Sequence, residues 1–331
     1  MSLQQWQQFL QMSAQQMPIS NSADLSEHVH VLCDLSHLGL LQIDGADAVS
    51  FLQGQVTNDV KQLDGNTAHY SGYCSPKGRL LALFLAFAHA DHLHLQMPKA
   101  LIEPIAKRLK MFVMRSKVNI QDVSESIIKF GLSGKDAQSL LTAHFSSVPQ
   151  QPYQLVTHPN AAIIRLPGTS PRYEIFSDAE NAPKLWAALS QHCKTAAAEY
   201  WEWLEIQAGI PEVYPVTQEE FVPQMLNLDL LNGINFKKGC YTGQEIVART
   251  HYLGTVKRRT QLAHVTAMPT VGDNVLNDKQ ETVGKVVRCA AAPISGYDLL
   301  VEARLESVAA GALYVGDKAL EILAPPYALQ S

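Results

Sequence analysis

The chain contains 331 residues, 47% of them hydrophobic and 17% charged, a composition that excludes a disordered or fibrous protein. Acidic residues outnumber basic ones by 31 to 26, and the formal net charge of −5 argues against a dedicated nucleic-acid-binding protein. No apolar run reaches the roughly 18 residues of a membrane span, and the Gln-rich start lacks the features of a secretory signal. We therefore expect neither membrane insertion nor secretion.

The first part of the chain alternates strand and helix signals. Apolar patterning predicts four strands, Leu38–Ile43, Tyr70–Cys74, Arg79–Ala88 and His92–Met97, with a hairpin turn at 75–78. Apolar residues at helical spacing predict a helix over Ala46–Thr57 and another that begins near Pro98. Hairpins beside helices favour an α+β fold over a doubly wound parallel sheet.

The second part continues the α+β pattern, and the last part changes character. Strands are predicted at Ile127–Leu132, Ala161–Leu166 and Arg172–Phe176, and helices at Gly134–His144, Ala179–His192 and Ala196–Ala208. From about Thr255, short strand-like runs alternate with Gly, Pro and Asn-Asp turns. They are typical of a small all-β barrel or sandwich of about 75 residues, which makes three modules in all.

Cysteines and histidines give no self-contained metal site. The five cysteines are odd in number and no two form a CxxC pair, so we predict neither a disulfide framework nor a local zinc or iron–sulfur site. A reducing cytoplasm suits such free thiols. His89, His92 and His94 lie close together, but no carboxylate or thiol accompanies them at ligand spacing, so no metal is predicted there.

The most unusual segment surrounds Cys240. Gly239 and Gly243 bracket this cysteine, and Lys238 precedes it, so that a nearby ammonium would favour the reactive thiolate. A helix is predicted to begin at Gln244. From the residues alone two interpretations stay open, a functional thiol and a small cysteine that only packs within a glycine-rich connection.

Residues 238–245, KGCYTGQE, with Arg249 after them, resemble the signature of the YgfZ family, KGCY(T/S)GQE-x3-R. These folate-binding proteins are related to the aminomethyltransferase (T-protein) of the glycine cleavage system. The blocks at 45–47 (GAD) and 51–60 (FLQGQVTNDV) and the segment 221–234 are similar to further blocks of that family. The resemblance covers about residues 30–325.

The resemblance implies a fold of three domains arranged in a ring, two of them α+β with antiparallel sheets and the last a small β-barrel. The implied domains are residues 1–125 with 196–250, residues 126–195, and residues 251–331. It also implies a cytoplasmic, tetrahydrofolate-binding accessory protein that supports iron–sulfur cluster assembly or repair. Its partners would be iron–sulfur enzymes such as a radical methylthiotransferase that modifies tRNA. Direct tRNA binding is not expected, because Lys257-Arg258-Arg259 is the sole basic triplet and is read as a solvated barrel surface.

The same resemblance assigns roles to individual residues. Cys240 is the predicted reactive or cluster-contacting thiol, and Lys238 the group that activates it. The predicted folate-contacting residues are Trp201, Leu38, Gln207 and Tyr241, and the residues that support the motif are Gly239, Gly243, Gln244, Glu245 and Arg249. Glu245 and Arg249 are expected to form a charged brace.

Four positions depart from the related sequences. Leu38 stands where the family places a second folate-contacting tryptophan, and Gln207 where the aminomethyltransferases carry a pterin-recognising Glu. Leu81 and Ala82 stand where those enzymes carry an Asp pair. Neither side chain can accept a proton, so the alternative function, folate-dependent aminomethyl transfer, is disfavoured. Whether the protein turns over a substrate, and whether folate is only a structural ligand, stay open here.

Overall fold

The computed structural model describes residues 3–16 and 30–329, so the predicted domain ends at residues 1 and 331 lie outside the described residues. The helices are α1 Leu3–Gln16, α2 Ala48–Gln53, α3 Lys99–Lys110, α4 Ala137–Thr142, α5 Ala182–Ser190, α6 Ala198–Gln207, α7 Gln244–Tyr252 and α8 Leu305–Ala310. The strands of the first half are β1 Val31–Asp34, β2 Leu38–Asp44, β3 Ala68–Cys74, β4 Leu80–His89, β5 His92–Pro98, β6 Asn119–Asp122, β7 Ile127–Ser133, β8 Leu155–His158, β9 Ala161–Leu166 and β10 Arg172–Asp178. Those of the second half are β11 Lys194–Ala196, β12 Arg258–Val265, β13 Asn274–Leu276, β14 Thr282–Ala291, β15 Tyr297–Arg304, β16 Tyr314–Val315, β17 Lys318–Ala319 and β18 Glu321–Leu323. Over these described ranges, no helix combines the length and apolar content that crossing a bilayer takes.

The described residues form two compact units. Unit 1 contains the residues up to Ala48 together with Gln62–His69 and Leu85–Trp201. Unit 2 contains Val49–Lys61, Tyr70–Phe84 and the residues from Glu202 onward. These units do not follow the three predicted domains, whose boundaries stay a prediction.

Unit 1 is built on a six-stranded sheet of order β11-β1-β7-β10-β9-β8, antiparallel except for the β1–β11 pair. Its core is closed by α1, an element that the Gln-rich sequence did not predict. Trp6 is fully buried against Phe130 and Trp186, and its indole N–H donates to the Asp34 carboxylate at 2.8 Å. The side chains of Gln4, Gln5, Gln8 and Gln11 are exposed on the outer face of this helix, and its Gln-rich composition hides the apolar spacing.

A second antiparallel arrangement in unit 1 joins β5, β2 and β6 with the Leu85–His89 part of β4. Helix α3 packs on β2 through the face predicted from its spacing, since Leu101, Ile105 and Leu109 are all buried. At Gly39 a Cβ would lie 2.2 Å from Ile102 Cγ1, so only glycine permits this close approach of helix and strand.

Unit 2 ends in a seven-stranded antiparallel sheet of order β17-β16-β13-β14-β15-β12-β18, which forms the predicted β-barrel in nearly closed form. Its interior is apolar, and its buried residues are Ala263, Val265, Val275, Val283, Val286, Leu299, Val301, Ala303, Leu313 and Leu320. Together with the hairpins of both units, this sheet confirms the predicted α+β fold with antiparallel sheets.

Most predicted strands match the structure, whereas some predicted helices are too long. The helix expected over Ala46–Thr57 spans only Ala48–Gln53. The Gly54 N–H donates to Phe51 O, three residues back, and Val56 leaves the helix to form a β-bridge with Tyr73. Tertiary pairing therefore overrides a helical spacing that continues in the sequence.

The three clustered histidines lie on one hairpin of unit 1 and pack as aromatic rings. His94 is 2% exposed and stacks on Phe87 with ring centroids 5.1 Å apart, and His89 and His92 lie 6.3 and 6.4 Å from it. Burial, and after it the two neighbouring histidines, lowers the pKa of His94 to about 4. In the described part of the chain, no three His, Cys, Asp or Glu side chains are grouped so that they could hold a metal ion.

The neutral state of His94 predicts a pH-dependent stability. In the unfolded chain His94 binds its proton near pH 6.5 but in the folded protein only near pH 4, so acid favours unfolding between these values. From pH 6.5 to 4 the wild-type free energy of unfolding should fall by up to about 3 kcal/mol more than that of His94→Gln. Urea unfolding across this range measures the difference. The exposed His144→Gln control should keep the wild-type slope, and equal slopes for all three proteins would contradict the prediction.

Candidate functional site

The candidate site lies in unit 2, on a loop of residues 236–243, the thiol loop. Lys238 fixes this loop, because its ammonium donates to three backbone carbonyl oxygens, Gln53 O at 2.8 Å, Val56 O at 2.5 Å and Asn58 O at 2.8 Å. An ammonium has three N–H donors, so all of them are used. Burial lowers the pKa of Lys238 to about 8, and Asp59 opposes that shift.

The carbonyls belong to residues 53–58, the anchor segment, which holds the chain before the thiol loop as well. Thr57 Oγ1 donates to Gly233 O at 2.6 Å, and Asn235 N donates to Thr57 O at 3.0 Å. Asn58 Nδ2 donates to Asn232 O at 2.7 Å. The two most distinctive sequence blocks, QGQVTND and KGCYTGQE, are therefore parts of one hydrogen-bonded structure, which the sequence pattern did not reveal.

A third segment, the β3–β4 turn at 75–78, packs on the end of the thiol loop. Gly243 has φ +82°, and a Cβ there would lie 2.5 Å from Ser75 O. Gly78 has φ +68°, and its Cβ would lie 2.7 Å from Ile246 Cβ. Both positions require glycine. Gly239 differs, because a Cβ there would meet nothing within 4 Å.

Cys240 is the one exposed cysteine among the five, all of which lie in described residues. Burial raises the pKa of Cys74 and of Cys193 to about 12 and that of Cys289 to about 11, and it raises the pKa of Cys33 further. Burial therefore favours the protonated form of those four thiols, and Cys240 is the thiol that solvent reaches.

Lys238 does not have the geometry of a thiol-activating residue. Its side chain is 8% exposed and its donors are committed to carbonyl oxygens, whereas the Cys240 side chain faces solvent. Its ammonium also lies 5.1 Å from the ring centroid of Tyr241, a cation–π distance. The structure therefore corrects the sequence prediction: Lys238 anchors the backbone of the thiol loop rather than activating the Cys240 thiol.

Tyr241 and helix α7 complete the motif. Tyr241 is 8% exposed, and burial, followed by Cys74, raises its pKa above the ordinary value. The predicted helix start at Gln244 is confirmed, with Glu245 in the first turn. Glu245 and Arg249 are both exposed, and no ion pair joins them in the described structure, so the predicted charged brace is wrong.

Two predicted folate-contacting residues lie in unit 1 as packed side chains. Trp201 is 1% exposed, and its ring lies so close to Gly131 that a Cβ there would be 2.4 Å from the indole. The Arg172 guanidinium lies 5.5 Å from the Trp201 ring. Leu38 is 8% exposed within β2. Stacking of a folate ring on Trp201 would therefore require Arg172 to move.

Gln207 lies in unit 2, where it belongs to a polar cluster that the sequence did not predict. Trp203 and Gln207 are one helical turn apart on α6, and both donate to Asp298 Oδ2, from Trp203 Nε1 at 2.7 Å and from Gln207 Nε2 at 2.9 Å. His264 lies opposite Asp298 on the β12–β15 pair, with its Nδ1 2.7 Å from Asp298 Oδ1. The four-residue spacing of Trp203 and Gln207 was the available sequence signal.

The polar cluster fits one requirement of a folate ligand. A pteridine ring carries N–H donors along one edge and therefore needs an acceptor in its site. Among the described residues no donor reaches Gln207 Oε1, so this oxygen is available to such an edge. The buried Trp201 and Leu38 do not present a stacking face, so the fit rests on Gln207. Leu81 and Ala82, 8% and 0% exposed within β4, bring no carboxylate.

Comparison with known proteins finds a matching family profile and similar curated proteins. The GCVT N-terminal domain profile matches residues 3–200. The chain is similar to the tRNA-modifying protein YgfZ of Colwellia psychrerythraea, with 39% identity over 69% of each chain. It is also similar to that of Yersinia pestis, with 29% identity over 90% of this chain and 92% of the relative.

A solved structure establishes the likeness of fold. The glycine cleavage system aminomethyltransferase T from Bartonella henselae superposes with a TM-score of 0.75, at 16% identity, over 94% of this chain and 91% of that one. At this identity the likeness shows the fold alone, and it confirms the predicted fold class.

The anchoring role of Lys238 is testable by its removal. Lys238→Met eliminates three charge-assisted hydrogen bonds and leaves buried carbonyl oxygens without donors, so the free energy of unfolding should fall by about 3 kcal/mol or more. The exposed Lys237→Met control should change it by less than about 0.5 kcal/mol. Urea unfolding measures both, and amide hydrogen exchange should show faster exchange at 53–58 and 233–240 only in Lys238→Met. Equal effects of the two substitutions would refute the anchor.

Proposed function

The chain belongs to the YgfZ family, and from that premise we propose that it is a tetrahydrofolate-binding accessory protein of iron–sulfur cluster assembly or repair. Its curated relatives are named tRNA-modifying proteins. In this proposal the protein acts in the cytoplasm and serves iron–sulfur enzymes, such as a radical methylthiotransferase, whose activity modifies tRNA. Tetrahydrofolate or a related folate is the cofactor.

The observation that carries the proposal is the presentation of Cys240. It is the exposed thiol of a chain whose other cysteines are buried or half-buried, and the Lys238 anchor holds its loop at a defined place. A cysteine thiolate is the usual protein ligand of an iron–sulfur cluster, and such a cluster needs several of them. One thiol supplies part of that set, so a cluster handled here is cargo shared with a partner.

The proposal places tRNA with the partner enzyme rather than with this chain. The net charge is −5, and two of the three residues of the basic triplet are engaged inside unit 2. Arg258 pairs with Glu302, and Arg259, 5% exposed, pairs with Asp229 at 2.6 Å. The expectation that this triplet is a solvated surface is therefore wrong for Arg259, whereas Lys257 is exposed. Internal ion pairs leave little free positive charge there for phosphate groups.

Folate binding is supported by the family and by the acceptor at Gln207. Bound tetrahydrofolate would supply a reduced pteridine ring. Gln207 Oε1 would accept from the donor edge of that ring, and Asp298 would hold the Gln207 amide from behind. In this proposal, these residues bind the folate and orient its ring.

Aminomethyl transfer of the T-protein type is the competing function. It needs a group that positions and exchanges protons beside the folate nitrogen. At the matching positions the chain carries Leu81 and Ala82, buried apolar residues of β4. Turnover of an aminomethyl donor with tetrahydrofolate by the purified protein would overturn our preference.

We expect Cys240→Ala to abolish the cellular role. In cells that lack the protein, expression of Cys240→Ala should leave tRNA methylthiolation at the level of the deletion, whereas wild type restores it. Cys193→Ala, which removes a thiol that burial keeps protonated, should restore it as wild type does. Mass spectrometry of tRNA nucleosides measures the modification, with equal protein levels verified by immunoblot.

Full restoration by Cys240→Ala would contradict a role for this thiol, and the protein would then be a scaffold that only binds folate. Alkylation of the native protein provides an independent check of thiol accessibility. Iodoacetamide should label one site, Cys240, and label five only after unfolding.

Folate binding itself can be followed by tryptophan fluorescence. Tetrahydrofolate should quench the emission of the four tryptophans, and the quench should shrink in Trp201→Phe, because we expect the bound ring to displace Arg172 and stack on Trp201. Trp186→Phe is the matched control, because Trp186 is buried in the unit 1 core with Trp6. An unchanged quench in Trp201→Phe would remove Trp201 from the site, and no quench in wild type would reject folate binding.

A further inference from the structure

We infer that Asp298 is a positioning residue that fixes the Gln207 amide so that its carbonyl oxygen, and not its amino group, faces the ligand. The ligand edge that Gln207 recognises is then an edge that carries N–H donors, as on the aminopyrimidinone side of a pteridine. This inference rests on the proposed function, because it assigns the part of the folate that Gln207 binds.

The geometry begins with helix α6. Residues four apart lie on one helical face, and Trp203 and Gln207 direct their donors at the same atom, Asp298 Oδ2. The indole Nε1–H can only donate, so this oxygen acts as an acceptor. Asp298 is 7% exposed, so water has little access to replace either donor.

The amide orientation of Gln207 follows from this acceptor. A carboxylate offers oxygen lone pairs only, so the amide atom 2.9 Å from Oδ2 must be the nitrogen. The reversed amide would place two oxygens at that distance without a hydrogen between them. Since the two amide atoms lie on opposite sides of one carbon, Gln207 Oε1 points away from Asp298. In the described structure it meets no donor.

Asp298 is itself held from the other side. His264 is its cross-strand neighbour, and His264 Nδ1 lies 2.7 Å from Oδ1. The His264 ring lies against the turn at Gly296, where φ is +67° and a Cβ would be 2.7 Å from Nε2. With each oxygen engaged by a different element, the carboxylate cannot rotate without breaking hydrogen bonds on both sides.

Asp298 and Gln207 together compensate for the absence of a charged acceptor that faces the ligand. A carboxylate that accepts from an amide N–H polarises the amide and makes its oxygen a stronger acceptor. Asp298 therefore supplies negative charge through Gln207, although the atom that faces the ligand is neutral. An amide oxygen has two lone pairs, which suits a ring N–H together with an adjacent amino group.

The test is a double-mutant cycle on tetrahydrofolate affinity, measured by calorimetry. Gln207→Ala should weaken binding about ten- to hundredfold. Asp298→Ala should weaken it about three- to tenfold in the wild-type background and have no further effect in Gln207→Ala. Asp278→Ala, which removes an exposed carboxylate of unit 2 outside the polar cluster, should keep the affinity within about twofold. A merely structural Asp298 would weaken binding equally in both backgrounds, and that result overturns the inference.

Two further measurements separate the possible failures. The ¹⁵N-detected side-chain amide signal of Gln207, assigned by its loss in Gln207→Ala, should shift in Asp298→Ala without any ligand.

If Asp298→Ala does not fold, wild type and Gln207→Ala are compared for their affinities for tetrahydrofolate and its 2-desamino analogue. Only wild type should then discriminate between the two ligands, and equal discrimination by both proteins overturns the inference. Wild-type protein that binds no tetrahydrofolate refutes the proposed function and this ligand assignment together.

Discussion

The structure of the candidate site depends on one buried ammonium, that of Lys238, held among three backbone carbonyl oxygens. A buried cation without partners is strongly destabilising, and here every N–H has an acceptor while the Tyr241 ring lies 5.1 Å away. Carbonyl oxygens that face each other repel, and the ammonium between them removes that cost. The anchor segment and the thiol loop therefore stabilise each other, and neither conformation is explained by its own local sequence.

This constraint lets an exposed group occupy a fixed position. Surface loops are usually mobile, but the thiol loop is fixed at Lys238 and again at Gly243, where only glycine allows the backbone to lie against Ser75. Cys240 lies between these two points and is exposed, whereas burial keeps the other thiols protonated. In the proposed function, this accessible thiol at a fixed position would exchange ligands with a partner. That combination, rather than an activating neighbour, distinguishes Cys240.

In the polar cluster around Asp298, as at Lys238, a buried charged group fixes its neighbours through hydrogen bonds. Its carboxylate accepts from Trp203 and Gln207 through one oxygen and contacts His264 through the other. An amide is chemically ambiguous, because its oxygen and nitrogen have nearly the same shape, and its partner decides which atom faces outward. The replacement of a carboxylate by Gln207 in the sequence therefore does not by itself remove the acceptor from the site.

The sequence by itself determined the longer strands, helix α7, the antiparallel α+β class and the motif around Cys240. These follow from periodicity, turn residues and a long motif, which depend on neighbours a few residues apart. Only the tertiary structure decided that Lys238 turns inward, that Trp201 is packed beneath Arg172, and that Glu245 and Arg249 remain apart. It also brought Gln207 to Asp298. The direction of a side chain depends on acceptors and packing supplied by distant parts of the chain, and no local pattern records those distances.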